Sequence, residues 1–457
     1  FRLNYIYNDR YLFEFNGRYD GTSRFPSDNR FVFLPSFSAA WRISEEKFMK
    51  NTRSWLDNLK VRASYGVLGN QMISSSDWSG NTRYYPYIPF MSSGTSTNWM
   101  LGSTYATVIN PGNLVSSDLT WEKVSTVNAG LDLTILQQRL DMSFDYYVRT
   151  TSDMLIRTSY PDVLGATAPP ANSAELKTRG WELSMKWRDK IGRDFSYELG
   201  LILSDSQAEI TKYNNPTGDI STYYVGSKIG ELWGYETEGL FQSDEEAANW
   251  HDQSKIKSVD WGAGDIKFKD QNGDKAITPG SGTLSDHGDQ VIIGNTTPRY
   301  QYGITANLTY KDFYMNIFFQ GIGKRDAWFS GNAFWPAATQ YYNVQKWHVE
   351  DSWSPENPDA YLPIPRATDD RNRKVKTDRY LQDASYCRLK NLPIGWNLPK
   401  RWISKAFLTN ATVYVSGENL FYISKIKGPY DPEAVTGNGA MVYPFMRTYS
   451  IGVNLTF

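Results

Sequence analysis

The chain has 457 residues, with 48 Lys and Arg against 49 Asp and Glu, so its formal net charge of -1 offers no basic surface for nucleic acid. One cysteine, Cys387, excludes an internal disulfide, and only three histidines (His251, His287 and His348) argue against His-based catalysis or a His-rich metal centre. Aromatic residues reach 15% while mean hydropathy is -0.52. That pairing suits a membrane barrel with aromatic girdles and a polar lumen, or a secreted glycan-binding β-protein. No apolar run reaches the ~18 residues of a membrane helix.

Phe1 opens the chain inside a strand-like segment in which Leu3, Tyr5 and Tyr7 alternate with other residues. With no signal peptide ahead of it, the expectation is the C-terminal part of a longer exported protein. Period-2 alternation then recurs along the chain. Tyr11, Phe13, Phe15 and Tyr19 oppose Glu14, Asn16, Arg18 and Asp20. Val61, Ala63, Tyr65 and Val67 oppose Lys60, Arg62 and Ser64, and Val127, Ala129, Leu131 and Leu133 oppose Asn128, Asp132 and Thr134. Leu140 to Val148, Trp181 to Trp187 and Phe195 to Leu203 repeat the pattern. The clearest hairpin runs from Tyr300 to Tyr310, turns at Lys311-Asp312 and returns through Phe313, Met315, Ile317 and Phe319. The closing strand sets Ile451, Val453, Leu455 and Phe457 against Ser450, Gly452, Asn454 and Thr456. Charged residues on the second face of so many strands would be costly in a sandwich core but suit a wetted lumen.

Connections alternate in length. Short links fall at Asn8-Asp9-Arg10, Gln137-Gln138, Asp189 to Arg193 and Lys311-Asp312, with two longer ones at Ser44 to Asp57 (helix-like) and Pro399 to Ala406. Long loops are expected at 21–30, 69–118, 152–177, 207–298, 322–380 and 418–444. The predicted fold is all-β, an antiparallel transmembrane β-barrel with about 13 strands, short periplasmic turns, long extracellular loops and a periplasmic C-terminus.

Several segments carry a resemblance: YNDRYLFEFNGRYDGTSRF near the start, WLDNLKVRASYGVLGNQ (55–71), LTWEKVSTVNAGLDL (119–133), KTRGWELSMKW (177–187), the hairpin at 292–321, YCRLKNLPIGWNLPK (386–400), VYVSGENLF (413–421), YDPE (430–433) and YSIGVNLTF. In this order they resemble the SusC/RagA family of TonB-dependent outer-membrane transporters. The resemblance implies a 22-stranded barrel around an N-terminal plug, a SusD-like surface lipoprotein as lid, and energy from a TonB complex. The plug and first strands would precede Phe1, leaving the fragment with two open edges, so it is not expected to close a barrel when expressed alone.

Candidate site residues lie in the long loops. Tyr84, Tyr85, Tyr87 and Trp99 sit in one, and Trp335, Tyr341 and Tyr342 in another. Aromatic faces stack on sugars or anchor peptide side chains; equally, they pack loops together or against a lid. Asp270, Asn272 and Asp274 form a D-x-N-x-D loop of the kind that holds a structural Ca²⁺, with the alternative of an ion-free acidic turn. The resemblance makes Asp289, ahead of Ile292-Ile293-Gly294, the closing ligand, with Asp286 in reserve, although Lys275 replaces the family's glycine. The basic run Arg371 to Lys376 reads as a solvated loop face, or a contact for an anionic ligand or lipopolysaccharide phosphate. With no Gly-x-Ser-x-Gly element, an enzyme is not expected. The expected function is import of a glycan or, second, an oligopeptide, without an obligatory cofactor. A passive porin is the rival from another class.

Overall fold

The computed structural model describes residues 1–72, 84–110, 114–157, 169–331, 333–337, 344–367, 369–404, 407–428, 430–435 and 445–457. The strands run, in chain order, β1 (Arg2–Tyr7), β2 (Tyr11–Gly21), β3 (Phe31–Arg42), β4 (Leu56–Asn70), β5 (Ser92–Leu101), β6 (Thr104–Asn110) and β7 (Glu122–Ile135). Next come β8 (Leu140–Arg157), β9 (Pro170–Ile191), β10 (Phe195–Lys212), β11 (Glu231–Tyr235), β12 (Thr237–Leu240), β13 (Ile266–Phe268) and β14 (Gln290–Asn295). The last are β15 (Arg299–Tyr310), β16 (Phe313–Lys324), β17 (Asp326–Ala327), β18 (Gln382–Asp383), β19 (Tyr386–Asn397), β20 (Asn410–Ser424) and β21 (Thr448–Thr456).

Thirteen of these make one sheet in the order β1-β2-β3-β4-β7-β8-β9-β10-β15-β16-β19-β20-β21, each antiparallel to its sequence neighbour in the sheet. The remaining strands form two-stranded ribbons inside the long loops. Alternation fixes which face is which, because a one-residue slip would turn every apolar side chain over. Phe13, Ala39, Ala63, Ala129 and Tyr146 are successive cross-strand partners on the lipid face.

The opposite face is held by ions. Arg62 on β4 donates to Asp145 Oδ1 at 2.6 Å and contacts Asp132 Oδ2 at 3.4 Å, while Lys60 reaches Asp132 at 2.7 Å. Arg188 on β9 donates to Glu198 on β10 at 2.6 Å. Lumenal tyrosines lie over glycines of the next strand: Tyr147 over Gly180, Tyr314 over Gly395 and Tyr414 over Gly452. A Cβ on any of the three would fall within 2.5 Å of the ring. Glycine is required at these sites by close approach rather than by backbone angle.

The short turns use left-handed backbone, as tight hairpins require: Asn8 and Asp9 have φ of 51° and 52°, and Leu136, Gln137 and Gln138 of 58°, 59° and 64°. Beside them runs an aromatic belt, with Tyr7 stacked on Tyr11, Tyr11 on Trp41, and Phe313 on Trp396. The link between β3 and β4 contains two 3₁₀ segments, Ile43–Glu45 and Lys47–Thr52.

Strand length departs from expectation. Residues 152–157 and 170–177, predicted as loop, belong to β8 and β9. The 22 residues of β9 extend about 70 Å, or about 55 Å along the barrel axis after tilting. A lipid band of ~25 Å covers under half of that, so the wall continues as a collar. There both faces are wet and period-2 alternation fades, which is why the sequence reads as loop.

The main apolar core lies in the long loops, not in the sheet. Tyr235, Leu240, Ile266, Phe268, Phe329, Phe334, Trp353, Leu362 and Tyr380 pack together as one buried cluster, joined by Ile426, Tyr430 and Val435. Backbone bonds interlock the loops: Tyr235 N donates to Lys376 O at 2.9 Å, and Ile364 N to Gly264 O at 2.9 Å. The short helix Asp244–Ala248 is capped by Ser243, whose side chain accepts from Glu246 N. We refer to this assembly as the cap.

Candidate ligand-handling surfaces at the long-loop end

Tyr84 and Tyr85 line a cavity of about 890 Å³ with Gly21, Thr22, Ser23, Arg24, Gln71 and Phe90. The loop leaving β2 supplies Thr22 to Arg24, and the segment leaving β4 supplies the aromatic rings, so two neighbouring strand ends position the site. Tyr84 is 55% exposed and Tyr85 43%. Arg24 Nη1 donates to Gln71 O at 3.2 Å, which ties the two loops together, and Arg24 N donates to Thr22 Oγ1 at 3.3 Å within the first loop. The neighbouring Tyr87 packs instead against the small cluster of Phe25, Leu119 and Trp121. Trp99 is on β5, with its side chain outside the described residues, as are Tyr341 and Tyr342 altogether.

Trp335 corrects an expectation. It is 2% exposed, packs among Phe334, Trp328 and Tyr380, and donates from Nε1 to Phe329 O at 2.9 Å. No ring face is left for a ligand; Trp335 holds the cap together.

The basic run is corrected in the same way at its first two residues. Arg371 and Asn372 are buried around Asp265, which is itself fully buried. Asp265 accepts from Arg366 Nε at 2.7 Å and Nη2 at 2.8 Å, from Arg371 Nη1 at 3.1 Å, from Asn372 Nδ2 at 2.8 Å and from Gly262 N at 3.0 Å. Arg371 also donates to Asp369 at 2.6 Å, and these hydrogen bonds, with those from Lys257, hold the Asp369 carboxyl well below the usual range. Buried charges persist when each has several partners. The signal for this was present: Asp369 and Asp370 immediately precede the basic run, as a solvated basic patch would not require.

Asp270, Asn272, Asp274 and Asp289 occupy one loop, but their oxygens face backbone amides. Asp270 accepts from Gly273 N at 2.7 Å and Lys275 N at 2.9 Å, Asn272 from Asp274 N at 2.9 Å, and Asp274 from Ala276 N at 2.8 Å. Buried Asp289 clamps Gln271 N at 2.8 Å and Thr278 N at 2.7 Å. Among the described residues no three His, Cys, Asp or Glu converge as a metal set. Hydrogen bonds to the amides stiffen the loop.

A further constellation escaped the sequence reading. Arg388 on β19 is almost fully buried, donates to Asp431 at 2.6 Å, and its Nε lies 2.8 Å from Glu433 Oε1 in an ion pair too poorly angled for a hydrogen bond. Lys390 donates to Glu433 at 2.6 Å. A register shift between Leu389 and Asn391 turns this stretch of β19 so that Arg388 meets the Tyr422 ring, 4.9 Å away. The Y-D-P-E segment is thereby latched to the barrel wall.

Residues 1–420 match the family model described as TonB dependent receptor-like, beta-barrel. The chain belongs to this family, and to its SusC/RagA-like branch. It is 30% identical to TonB-dependent receptor P3 of Formosa agariphila, over the whole chain and 45% of that protein. Against the TonB-dependent receptor SusC of Bacteroides thetaiotaomicron it is 29% identical, over the whole chain and 43% of that protein. In fold it resembles the RagAB peptide transporter, with a TM-score of 0.74 and 24% identity over the whole chain and 47% of that chain. The open-open state of RagAB matches at a TM-score of 0.77, with 23% identity and 46% of that chain covered. The chain thus spans about half the length of these relatives.

Proposed function

We propose that this chain forms part of an importer that carries a bulky nutrient, an oligosaccharide, across the bacterial outer membrane at the expense of TonB-coupled energy. The family match over residues 1–420 supports that reading. A SusD-like lipoprotein serves as the lid over the cap, and the TonB complex acts through sequence outside this chain. The short-turn end and the C-terminus face the periplasm, and the long-loop end faces outward. Lipid contacts the apolar face of the sheet, and lipopolysaccharide surrounds the collar.

The observation that carries the substrate class is the cavity at the long-loop rim, where Tyr84 and Tyr85 present open rings beside the hydroxyls of Thr22 and Ser23 and the amide of Gln71. Flat apolar faces with hydrogen-bonding groups at their edges match a sugar ring. No catalytic residue is needed, because import changes the position of the ligand and not its bonds.

The test is growth and uptake in the source bacterium on panels of oligosaccharides and oligopeptides. Deleting the gene for the lipoprotein partner, or inactivating TonB, should abolish growth on the cognate glycan. Unchanged growth in the TonB-deficient strain would make the barrel a passive pore. Uptake of peptides alone would overturn the glycan assignment.

A further inference from the structure

We infer that the rim cavity is built for an acidic oligosaccharide, with Arg24 as the group that recognises its carboxylate or sulfate. This rests on the import reading above and names the ligand's charge. A guanidinium has five N–H donors, and Arg24 uses one side-chain nitrogen, Nη1, on Gln71 O. Among the described residues Arg24 has no carboxylate partner. The acids nearest in sequence are engaged elsewhere: Asp20 pairs with Arg18 at 2.7 Å, and Asp28 accepts from Ser27 at 3.2 Å. Among the described residues no Asp or Glu lines the cavity.

Four arginines of the long-loop end give a contrast, whereas Arg325 and Arg379 donate to backbone carbonyls. Arg366 and Arg371 share Asp265, Arg388 is matched by Asp431 and Glu433, and Arg299 is bidentate on Asp205 with its Nη2 at 2.6 Å. Those cations are neutralised within the protein. Arg24 is half-buried between two loops and faces an open volume of about 890 Å³. Its planar fork suits a bidentate anion. Tyr84, Tyr85 and Phe90 supply apolar faces beside it, so charge and stacking are offered to one ligand. A saccharide carrying an acidic group on a ring satisfies both. An acidic peptide would use the charge but leave the two exposed tyrosines without a flat partner.

The experiment uses the intact transporter in detergent, with binding measured calorimetrically. The probes are hexagalacturonate, a sulfated galactan hexamer, the neutral galactan hexamer and a hexapeptide of glutamate. Wild type should prefer at least one of the acidic saccharides over the neutral hexamer by about tenfold or more, as a charge-assisted hydrogen bond allows. That preference should shrink with added salt. Arg24→Gln should abolish it, bringing the affinity for acidic hexamers down to that for the neutral one. Arg24→Lys should restore part of it, and Tyr85→Ala should weaken acidic and neutral saccharides alike. Comparing the carboxylated with the sulfated hexamer identifies which anion the site takes. Equal affinity for acidic and neutral hexamers, or a preference that survives Arg24→Gln, overturns the inference and leaves the import reading standing. Tighter binding of the peptide than of every saccharide overturns the reading on which it rests.

Discussion

Removing the carboxylate of Asp265 should open the cap and spare the barrel. In Asp265→Ala, five donor contacts lose their acceptor, four of them from side chains of Arg366, Arg371 and Asn372. Breaking a buried ion pair from one side costs ~3–5 kcal/mol. Two features put this case at the low end: the Arg366 side chain is 29% exposed and can be rehydrated, and Arg371 keeps Asp369 at 2.6 Å. The expected loss is therefore about 3 kcal/mol of local opening free energy, or roughly a 150-fold rise in the open population. Asp265→Asn keeps the volume and one acceptor and should lose about half as much. The exposed pair Lys346–Glu350, with side chains 86% and 60% accessible, gives the contrast: Glu350→Gln should cost about 0.5 kcal/mol at most. Native-state hydrogen exchange of the Gly262, Ile266 and Ile364 amides in the detergent-solubilised protein reads the opening directly. If their protection in Asp265→Ala stays within twofold of wild type, the cluster does not hold the cap and the reasoning fails.

Arg388→Ala should free the Y-D-P-E segment, at a cost of about 3 kcal/mol, because Asp431 loses its guanidinium while Glu433 keeps Lys390; limited proteolysis near Tyr430 measures this, and unaltered cleavage would refute it. His348 receives Gln345 N at one ring nitrogen and contacts Ala333 O at 3.1 Å with the other, an arrangement for a neutral ring, and burial lowers its pKa. Its contribution is complete above the unfolded value of ~6.5 and is lost as pH falls through the lower folded value. Fluorescence of the adjacent Trp347 should report a loosening below pH ~6.5 that His348→Asn abolishes; the same acid transition in that variant would exclude His348. Calcium should leave the thermal midpoint unchanged, whereas Asp270→Ala with Asp274→Ala should lower protection of residues 270–278 with or without the ion. A calcium-dependent rise in wild type, absent from the double variant, would restore the cation reading.

The parts of the fold that one physical constraint governs were legible in the sequence. Where lipid wets one face and water the other, side chains must alternate, and strands such as β4, β15 and β16 were read with their correct faces. Short turns were legible because left-handed backbone selects Asn, Asp and Gly, as at Asn8-Asp9 and Gly192. The collar was not, since β9 above the lipid has water on both sides and no period to detect. The cap was missed for a different reason. Its core is assembled from segments more than 100 residues apart, such as Ile266 with Asn372, and no local pattern records such a contact. Trp335 and Tyr84 therefore looked alike in sequence, although one is a core residue and the other an open ring. Density of aromatics was the available clue: Trp328, Phe329, Phe334 and Trp335 fall within a few residues of each other, as a core demands more than a surface does.

The tyrosine-over-glycine pairs of the wall bear on how far its inner face projects. A tyrosine standing upright would project its full length toward the barrel axis; laid flat on Gly180, Gly395 or Gly452 it intrudes by only the thickness of a ring. Phenol groups then present smooth faces along the bore, and neighbouring strands are tied by the overlap instead of by bulk. An alanine at Gly395 would meet the Tyr314 ring at 2.2 Å and push it away from the sheet, without touching any residue of the rim cavity. The relief of this face of the sheet is thus set at three places by the absence of a side chain.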